Sequence, residues 1–418
     1  YSFNMVRKFG VNHKFTKSLS TNYSKQVNSN LDHMRDKYLE IIENLSPGII
    51  KTSSEDFTNT FAPEFIEWLK PTMNYNTNYD WSNNIINDTL STVNIKSGSN
   101  FKTSLGFSLK DLIEIIYTPE NKGRSSRSSR GRGRSSSSNK SSGNKKYEIK
   151  NPFLKSILKR MHTVASQINK ISMNYTYAKQ IDYNNLNSED APTYYYRLGI
   201  IESPHEDLND SIRYSEEGSL VGSYYKKYDN NISVSTSVNF TKNIITGLDF
   251  SYSNSNTNQS VSPEVYNEVF SFFPIGTRGN EGLPIANWNV TWSGIEKFWI
   301  IDKVFKSISF SHSCHGEKSS TLKSGDLQTE NYNLSYSPLI GITTKTHGRN
   351  PFTFKVNYNQ NQTINNSGES TERNHTHNLS NTISFRKSGG FTIPIFFFRD
   401  FHIDNDLDFN ITFSFEDS

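Results

Sequence analysis

The sequence has little of what builds a disulfide-stapled domain or a helical membrane protein. Among 418 residues there is one cysteine, Cys314, which excludes an internal disulfide and any metal site made of several cysteines. The most apolar stretch, residues 391–398, is short and contains Pro394, so no transmembrane helix is predicted. Only 33% of the residues are hydrophobic and the mean hydropathy is −0.67, a composition typical of a soluble or partly disordered chain.

Charge and chemical motifs are equally sparse. The net charge of +4 is small for this length and gives no reason to expect a nucleic-acid partner. Three clusters look like metal ligands: His375 with His377, His312 with Cys314 and His315, and Asp404 with Asp406 and Asp408. None has the additional ligands that zinc or calcium requires. The glycine-rich run 276–282 lacks the Lys-Ser/Thr of a phosphate loop. We therefore predict no catalytic residue, no cofactor and no metal, and hence no enzyme.

Aromatic residues, in contrast, are abundant and regularly spaced. They make up 13% of the chain, with 28 Phe and 22 Tyr, which argues against disorder. Leu407 to Phe415 and Phe352 to Tyr358 show strict alternation of apolar and polar residues. The apolar residues of 232–240 and of 73–81 likewise share one parity. Successive residues of a strand point to opposite faces, so each run predicts a strand with one apolar and one polar face. About fourteen such runs are present, many close to the 9–11 residues that cross a bilayer.

Alternation alone also fits a soluble β-sandwich, because such a sheet has one polar face too. Two features favour a membrane: Tyr, Trp and Phe dominate the apolar face, and the connections differ greatly in length. Short turns at one side and long loops at the other are typical of outer-membrane barrels. We predict an all-β fold, an antiparallel transmembrane β-barrel segment that is part of a very large barrel, with a soluble β-sandwich surface adhesin as the alternative.

The chain is interpreted as a single partial barrel domain over residues 1–418. Within it, 28–71 is predicted to be a long loop that carries a short helix at 31–45, where apolar residues recur at helical spacing. Residues 122–146, rich in Ser, Arg and Gly, are predicted to be a disordered basic loop. Four apolar segments precede strands, at 65–69, 153–158, 295–305 and 393–401. They are interpreted either as interfacial segments at the bilayer edge or as loops packed on the barrel rim.

Two stretches carry a resemblance to a known family. Residues 283–294, with Pro284, Asn287, Trp288 and Gly294, are followed by a Lys-Ser strand that ends in Ser311-His312. The second stretch is Ser337-Pro338-Leu339-Ile340-Gly341. Together they resemble the C-terminal region of the SprA (Sov) family, which forms the large outer-membrane translocon of the type 9 secretion system and is linked to gliding motility. Strong local matches cover about a fifth of the chain.

The resemblance implies a protein-export channel in a bacterial outer membrane. Its expected partners are membrane lipid, secreted cargo proteins, and plug and gating proteins of the secretion system. The nine motif positions are expected to be structural. Both ends of the chain are expected to be internal to a longer barrel, so the chain alone is not expected to form the native pore. Another large outer-membrane barrel, a TonB-dependent receptor or a lipopolysaccharide-export barrel, remains an alternative.

Overall fold

In the computed structural model most of the chain forms one sheet. The residues it describes are 3–32, 48–64, 69–85, 91–117, 152–186, 192–204, 222–260, 262–276, 279–297, 300–348, 350–387, 390–392, 402–403 and 406–417. The predicted helix at 31–45 and the basic loop at 122–146 lie almost entirely outside these residues.

The main sheet has 15 strands, nearly all paired with their sequence neighbours and all antiparallel. The strands are β1 Asn4–Lys14, β2 Leu19–Asn30, β3 Ile49–Phe61, β4 Thr72–Ile85, β5 Ser91–Phe107, β6 Ile171–Leu186, β7 Ser223–Asn239, β8 Ile244–Gln259, β9 Ser262–Ser271, β10 Asn287–Ser293, β11 Phe305–Lys323, β12 Asp326–Thr346, β13 Phe352–Ser367 and β14 Ser370–Lys387, with β17 Leu407–Asp417 last. A separate short hairpin consists of β15 Phe391–Thr392 and β16 His402–Ile403.

The strand register shows which residues of each strand lie on the same face of the sheet. Directly paired residues lie on the same face, so the pairings can be followed from β1 to β17. The face that includes Phe354 and Val356 of β13, here the apolar face, carries nearly all the aromatic and aliphatic strand residues. The face that includes Lys355 and Asn357, here the polar face, is dominated by Asn, Ser, Thr, Lys and Asp. The alternation read in single strands therefore holds across the sheet.

The apolar residues of the apolar face form a band over one half of the strands. In β13 the band runs from Phe352 to Tyr358, and beyond it the same face continues with Gln360 and Gln362. A band that spans six to eight residues of a strand is about 20 to 26 Å long. This length is similar to the height of the apolar belt on outer-membrane barrels. The half with the band is called the band half, and the turn at 240–243 marks the band end.

The opposite end, the far end, includes the turn between β11 and β12. Ser324 and Gly325 there have φ of 52° and 87°, and two successive positive values suit the tight turn of a twisted hairpin. Several strands are longer than the 9–11 residues expected, with 19 in β11 and 21 in β12, because each continues past the band. Long and short connections occur at both ends. The expectation of short turns on one side only was wrong.

Within the part of the chain that the structure describes, three α-helices lie in the connections: α1 Leu109–Ile116 and α2 Pro152–Ala165 at the band end, and α3 Tyr194–Arg197 at the far end. Among the described residues, no helix combines the length and the apolar character needed to cross a membrane.

The all-β antiparallel fold is confirmed, but the prediction of a long loop over 28–71 was wrong for its second half. β3 occupies 49–61 and pairs with both β2 and β4 along its length. It was missed because its apolar-face positions include Ser53, Glu55 and Asn59, which interrupt the alternation. A sandwich core would need a second sheet over the apolar face. Within the described residues the other sheet is only the two-stranded β15–β16 hairpin.

Candidate functional site

The polar face is the first candidate for a working surface. Its side chains are mostly polar, and charges of both signs are interspersed along it. Gly98 and Ala178 leave a depression in the wall, a cavity of about 340 Å³ whose lining includes Lys96, Asp182 and Lys227. A polar surface with charges of both signs has no dominant sign of charge, so it does not favour one class of charged solute.

The band on the apolar face is aromatic and exposed. Phe352 contacts Phe385 and Phe354 with ring centroids 4.5 and 6.2 Å apart. Phe409 and Phe413 of β17 are 51% and 52% exposed. Exposed apolar surface on this scale marks an interaction with a membrane or another protein.

In the far half, the apolar face is covered by residues 192–204 around α3. Tyr196 is fully buried in a cluster with Tyr79, Ile95, Ile181 and Tyr183. Its hydroxyl donates to the carbonyl of Ile181 over 3.1 Å, and its own carbonyl accepts from the Ser97 hydroxyl at 2.9 Å. This segment therefore gives the far half of β4–β6 the cover that the band half lacks.

An ion pair ties the same segment to β3. Arg197 binds both carboxylate oxygens of Glu55, which is 7% exposed. Lys25 lies 2.9 Å from the same carboxylate, and the Tyr23 hydroxyl donates to it over 3.0 Å. Burial opposes the charge of Arg197, but the bond to Glu55 raises its pKa above the ordinary value. The cluster holds α3 against the sheet from two neighbouring strands.

The motif around Asn287 lies at an interruption of one strand. β9 pairs with the far half of β8 and β11, and β10 pairs with their band half, so both occupy one place in the sheet. Asn287, 4% exposed, holds the junction. Its side-chain oxygen accepts the Gly316 N–H at 2.8 Å. Its nitrogen donates to Ser271 at 3.2 Å and to Asp249 at 3.3 Å.

Residues 272–286 form an excursion that leaves the sheet between β9 and β10. A bridge between Phe273 and Leu283 closes its stem. Phe272 packs on Tyr332 of β12 with centroids 5.6 Å apart, and Phe273 stacks on Trp288 at 6.0 Å. A Cβ on Gly316 would lie 2.3 Å from the Phe272 carbonyl oxygen, so only glycine allows this close approach. Pro284 lies in the excursion and is exposed.

The second motif meets the first at an irregularity of β12, which affects its pairing with both neighbouring strands. The register shifts between Ser311 and His315 in the β11–β12 ladder, and between Tyr336 and Ile340 in the β12–β13 ladder. His312 bonds the Leu339 carbonyl through Nδ1 at 2.8 Å, and the Ser313 hydroxyl donates to the Ser337 carbonyl.

Four motif positions remain, and three of them lie around this irregularity. The Ser337–Pro338 peptide is cis. Gly341 leaves room for Ser311 and Pro338, since a Cβ there would lie 2.2 and 2.7 Å from them. Ile340 lies on the apolar face and is 54% exposed, and Gly294, with φ of 81°, ends β10. The two stretches singled out in the sequence thus lie next to each other in the sheet, at β10, β11 and β12.

The other sequence candidates do not assemble among the residues that the structure describes, and Asp404 lies outside them. His377 contacts the Tyr358 hydroxyl at 2.9 Å, and Cys314 is buried and paired opposite Trp288. Within the described ranges no three His, Cys, Asp or Glu residues are grouped so that they could hold a metal. Sequence reasoning missed Glu55 and Arg197. An acidic residue on the apolar parity of β3 is the signal that could have pointed to a buried partner.

Comparisons with known proteins add little. No family model matches the chain, and no curated protein matches it. Among solved structures, the chain is similar to CdiB from Acinetobacter baumannii, with 10% sequence identity and a TM-score of 0.24 over 99% of this chain. The chain spans 60% of that protein's length. A TM-score this low is not evidence of a shared fold. What is shown is an antiparallel sheet with one mainly aromatic and aliphatic face and one polar face.

Proposed function

We propose that this chain is part of the wall of an outer-membrane protein-export channel of the SprA type, the translocon of the type 9 secretion system. The observation that carries the proposal is the separation of the two faces over 15 strands. An exposed aromatic band suits lipid, and a polar face with mixed charge suits a water-filled passage. Such a protein catalyses no reaction. Its partners are lipid, secreted cargo and the proteins that plug or gate the passage.

Backbone chemistry supports the membrane part of the proposal. An unpaired N–H or C=O in hydrocarbon costs several kcal/mol, so a sheet can cross a bilayer only when its edges are paired. In the described sheet, β1 and β17 are each paired on one side. Closure of the barrel thus requires these edges to pair with each other or with further strands. A channel of this kind works through the width and lining of its lumen.

The narrower assignment rests on the resemblance of the two motif stretches to the SprA family. His312 bonds the Leu339 carbonyl, and Gly341 leaves room for Ser311 and Pro338, so the two stretches meet at β11 and β12. Asn287 binds the Gly316 N–H at the junction where the 272–286 excursion leaves the sheet. No bond chemistry is required of these residues.

The proposal is tested by photo-crosslinking in the full-length protein, in cells that export cargo. A photoreactive residue at Asn357, on the polar face, is expected to capture exported proteins. The matched control at Val356, one residue away on the apolar face, is expected to capture lipid. Equal cargo capture at both positions, or none at Asn357 while export proceeds, would contradict an export lumen along this face. A further check is extraction, because a barrel requires detergent and shows heat-modifiable gel mobility.

A further inference from the structure

The α1 and α2 helices form a hairpin with an unusually apolar exterior. α1 begins directly after β5, capped by the Ser108 side chain, and α2 ends shortly before β6. In α2, Phe153, Ile157, Met161 and Val164 recur at helical spacing and form one stripe. Their exposure ranges from 37% to 71%. The only buried residue of α2 is Ala165.

Contacts between the two helices fix which faces point outward. His162 of α2 lies 3.0 Å from the Glu114 carboxylate of α1, and its ring is edge-on to the buried Tyr117. In α1, Ile115 and Ile116 are 56% and 60% exposed. The described contact between the helices is therefore polar and aromatic, whereas the apolar residues of the stripe and of the end of α1 are exposed.

The position of the hairpin in the fold indicates which kind of surface its exposed apolar residues face. The last apolar-face residues of β5, Leu105 and Phe107, pair with Met173 and Ile171 at the start of β6. These pairs lie at the band end, and the helices join the sheet there. The hairpin therefore joins the sheet at the band end, where the surface of a bilayer would lie.

The charges of the hairpin specify the kind of surface. α2 carries Lys155 and Lys159 on the side opposite the stripe and Arg160 at the edge of the stripe, and it contains no acidic residue. The sequence between the helices, 118–151, has ten Lys or Arg against two Glu. A basic amphipathic helix lies in the interface of a membrane, with its apolar side among acyl chains and its cations on anionic headgroups.

We propose that the α1–α2 hairpin is an interfacial anchor that binds anionic phospholipid headgroups at the band end. The inference rests on the proposed membrane barrel and adds a site of lipid recognition to it. The apolar stripe inserts among the acyl chains, and the cations favour anionic headgroups over neutral ones. Each cation near an anionic surface contributes about fivefold to partitioning.

The test uses the full chain reconstituted in phosphatidylcholine vesicles with and without phosphatidylglycerol, with Cys314→Ser as background. An environment-sensitive fluorophore is attached at Ile157→Cys on the stripe, or at Ser156→Cys on the polar side as control. The Ile157 label is expected to shift to the blue and to be quenched by lipid-borne nitroxides, more strongly with phosphatidylglycerol. The Ser156 label is expected to remain in water.

Charge variants separate headgroup binding from simple insertion. Lys159→Gln with Arg160→Gln is expected to lower the inserted population by up to roughly 25-fold in phosphatidylglycerol vesicles, from two lost cations. Lys242→Gln, an exposed cation in the β7–β8 turn at the same end, is expected to change nothing. An equal effect of both variants would overturn the headgroup assignment.

A third label keeps the two proposals distinguishable. Val356→Cys reports whether the sheet itself lies in lipid. A lipid-embedded Val356 with Ile157 in water in both vesicles overturns the anchor alone, whereas both labels in water contradict the membrane barrel. If the Ile157 shift depends on the protein-to-lipid ratio, a second copy of the chain covers the stripe and the lipid assignment is wrong.

Discussion

Replacing Asn287 by alanine is expected to destabilise the sheet at its interrupted strand. The substitution removes the acceptor of the Gly316 N–H, whose bond to the asparagine lies in a buried environment. A buried donor left without a partner costs about 1–3 kcal/mol. The other two bonds are longer, and Ser271 keeps its contacts with Ser251 at 2.9 and 3.2 Å. They add little, so the expected loss is about 1–3 kcal/mol.

Urea unfolding of the protein folded in detergent measures this loss as a lower midpoint with an unchanged slope. Asn289→Ala is the matched control: the same residue type, two positions along the same face, exposed, with one bond of 3.3 Å to the Gly247 N–H. We expect the control to lose less than about half as much, because water replaces that bond. Equal losses for the two variants would refute the role given to the Asn287 junction.

Two further predictions concern the helices. Arg197→Met leaves the Glu55 carboxylate buried with its Lys25 and Tyr23 contacts only, and should cost about 1–3 kcal/mol, below the 3–5 typical of a fully broken buried pair. Adding Glu55→Gln should recover part of that loss in the same unfolding assay. If the losses of the two single variants simply add in the double variant, the ion pair between Arg197 and Glu55 does not explain the loss. The hydrogen bond from α2 lowers the pKa of Glu114 below its ordinary 4.5. Its contribution to the α1–α2 contact is therefore present above pH 4.5 and lost as the pH falls through the lowered value, which an interhelix distance measurement should show for wild type and not for Glu114→Gln.

Much of the sheet could be predicted because the polar and apolar residues alternate with period two. β13 and β17 were read correctly because Phe354 and Val356, or Phe409 and Ile411, stand between polar neighbours. The alternation is visible wherever a strand crosses the band, since lipid or a core must cover one side of it.

The far half of the sheet could not be predicted in the same way. There the apolar face is covered by a segment from a distant part of the chain, and a buried charge such as Glu55 is satisfied by Arg197, 142 residues away. Nothing local in β3 encodes that partner. The pairing of β9 is a similar case. It lies between the far halves of β8 and β11, where β10 makes no pairs, and nothing local in its sequence indicates this position.

The motif residues illustrate a different limit. Their resemblance to a family predicted that Asn287 and Pro338 are structural, and both lie at irregularities of the sheet. That His312 joins these two stretches through the Leu339 carbonyl depends on register shifts in both β11 and β12. Register shifts leave no periodic signal, so only the structure brings these residues together.

The central claim is that one face of this sheet meets lipid and the other meets water. Nitroxide labels placed singly at 353–358 of β13, in the Cys314→Ser protein reconstituted in vesicles, test it directly. Accessibility to oxygen, which concentrates in lipid, should peak at Phe354, Val356 and Tyr358. Accessibility to a polar nickel chelate should peak at Thr353, Lys355 and Asn357. The absence of a two-residue period, or high nickel accessibility at Phe354 and Val356, would contradict the account.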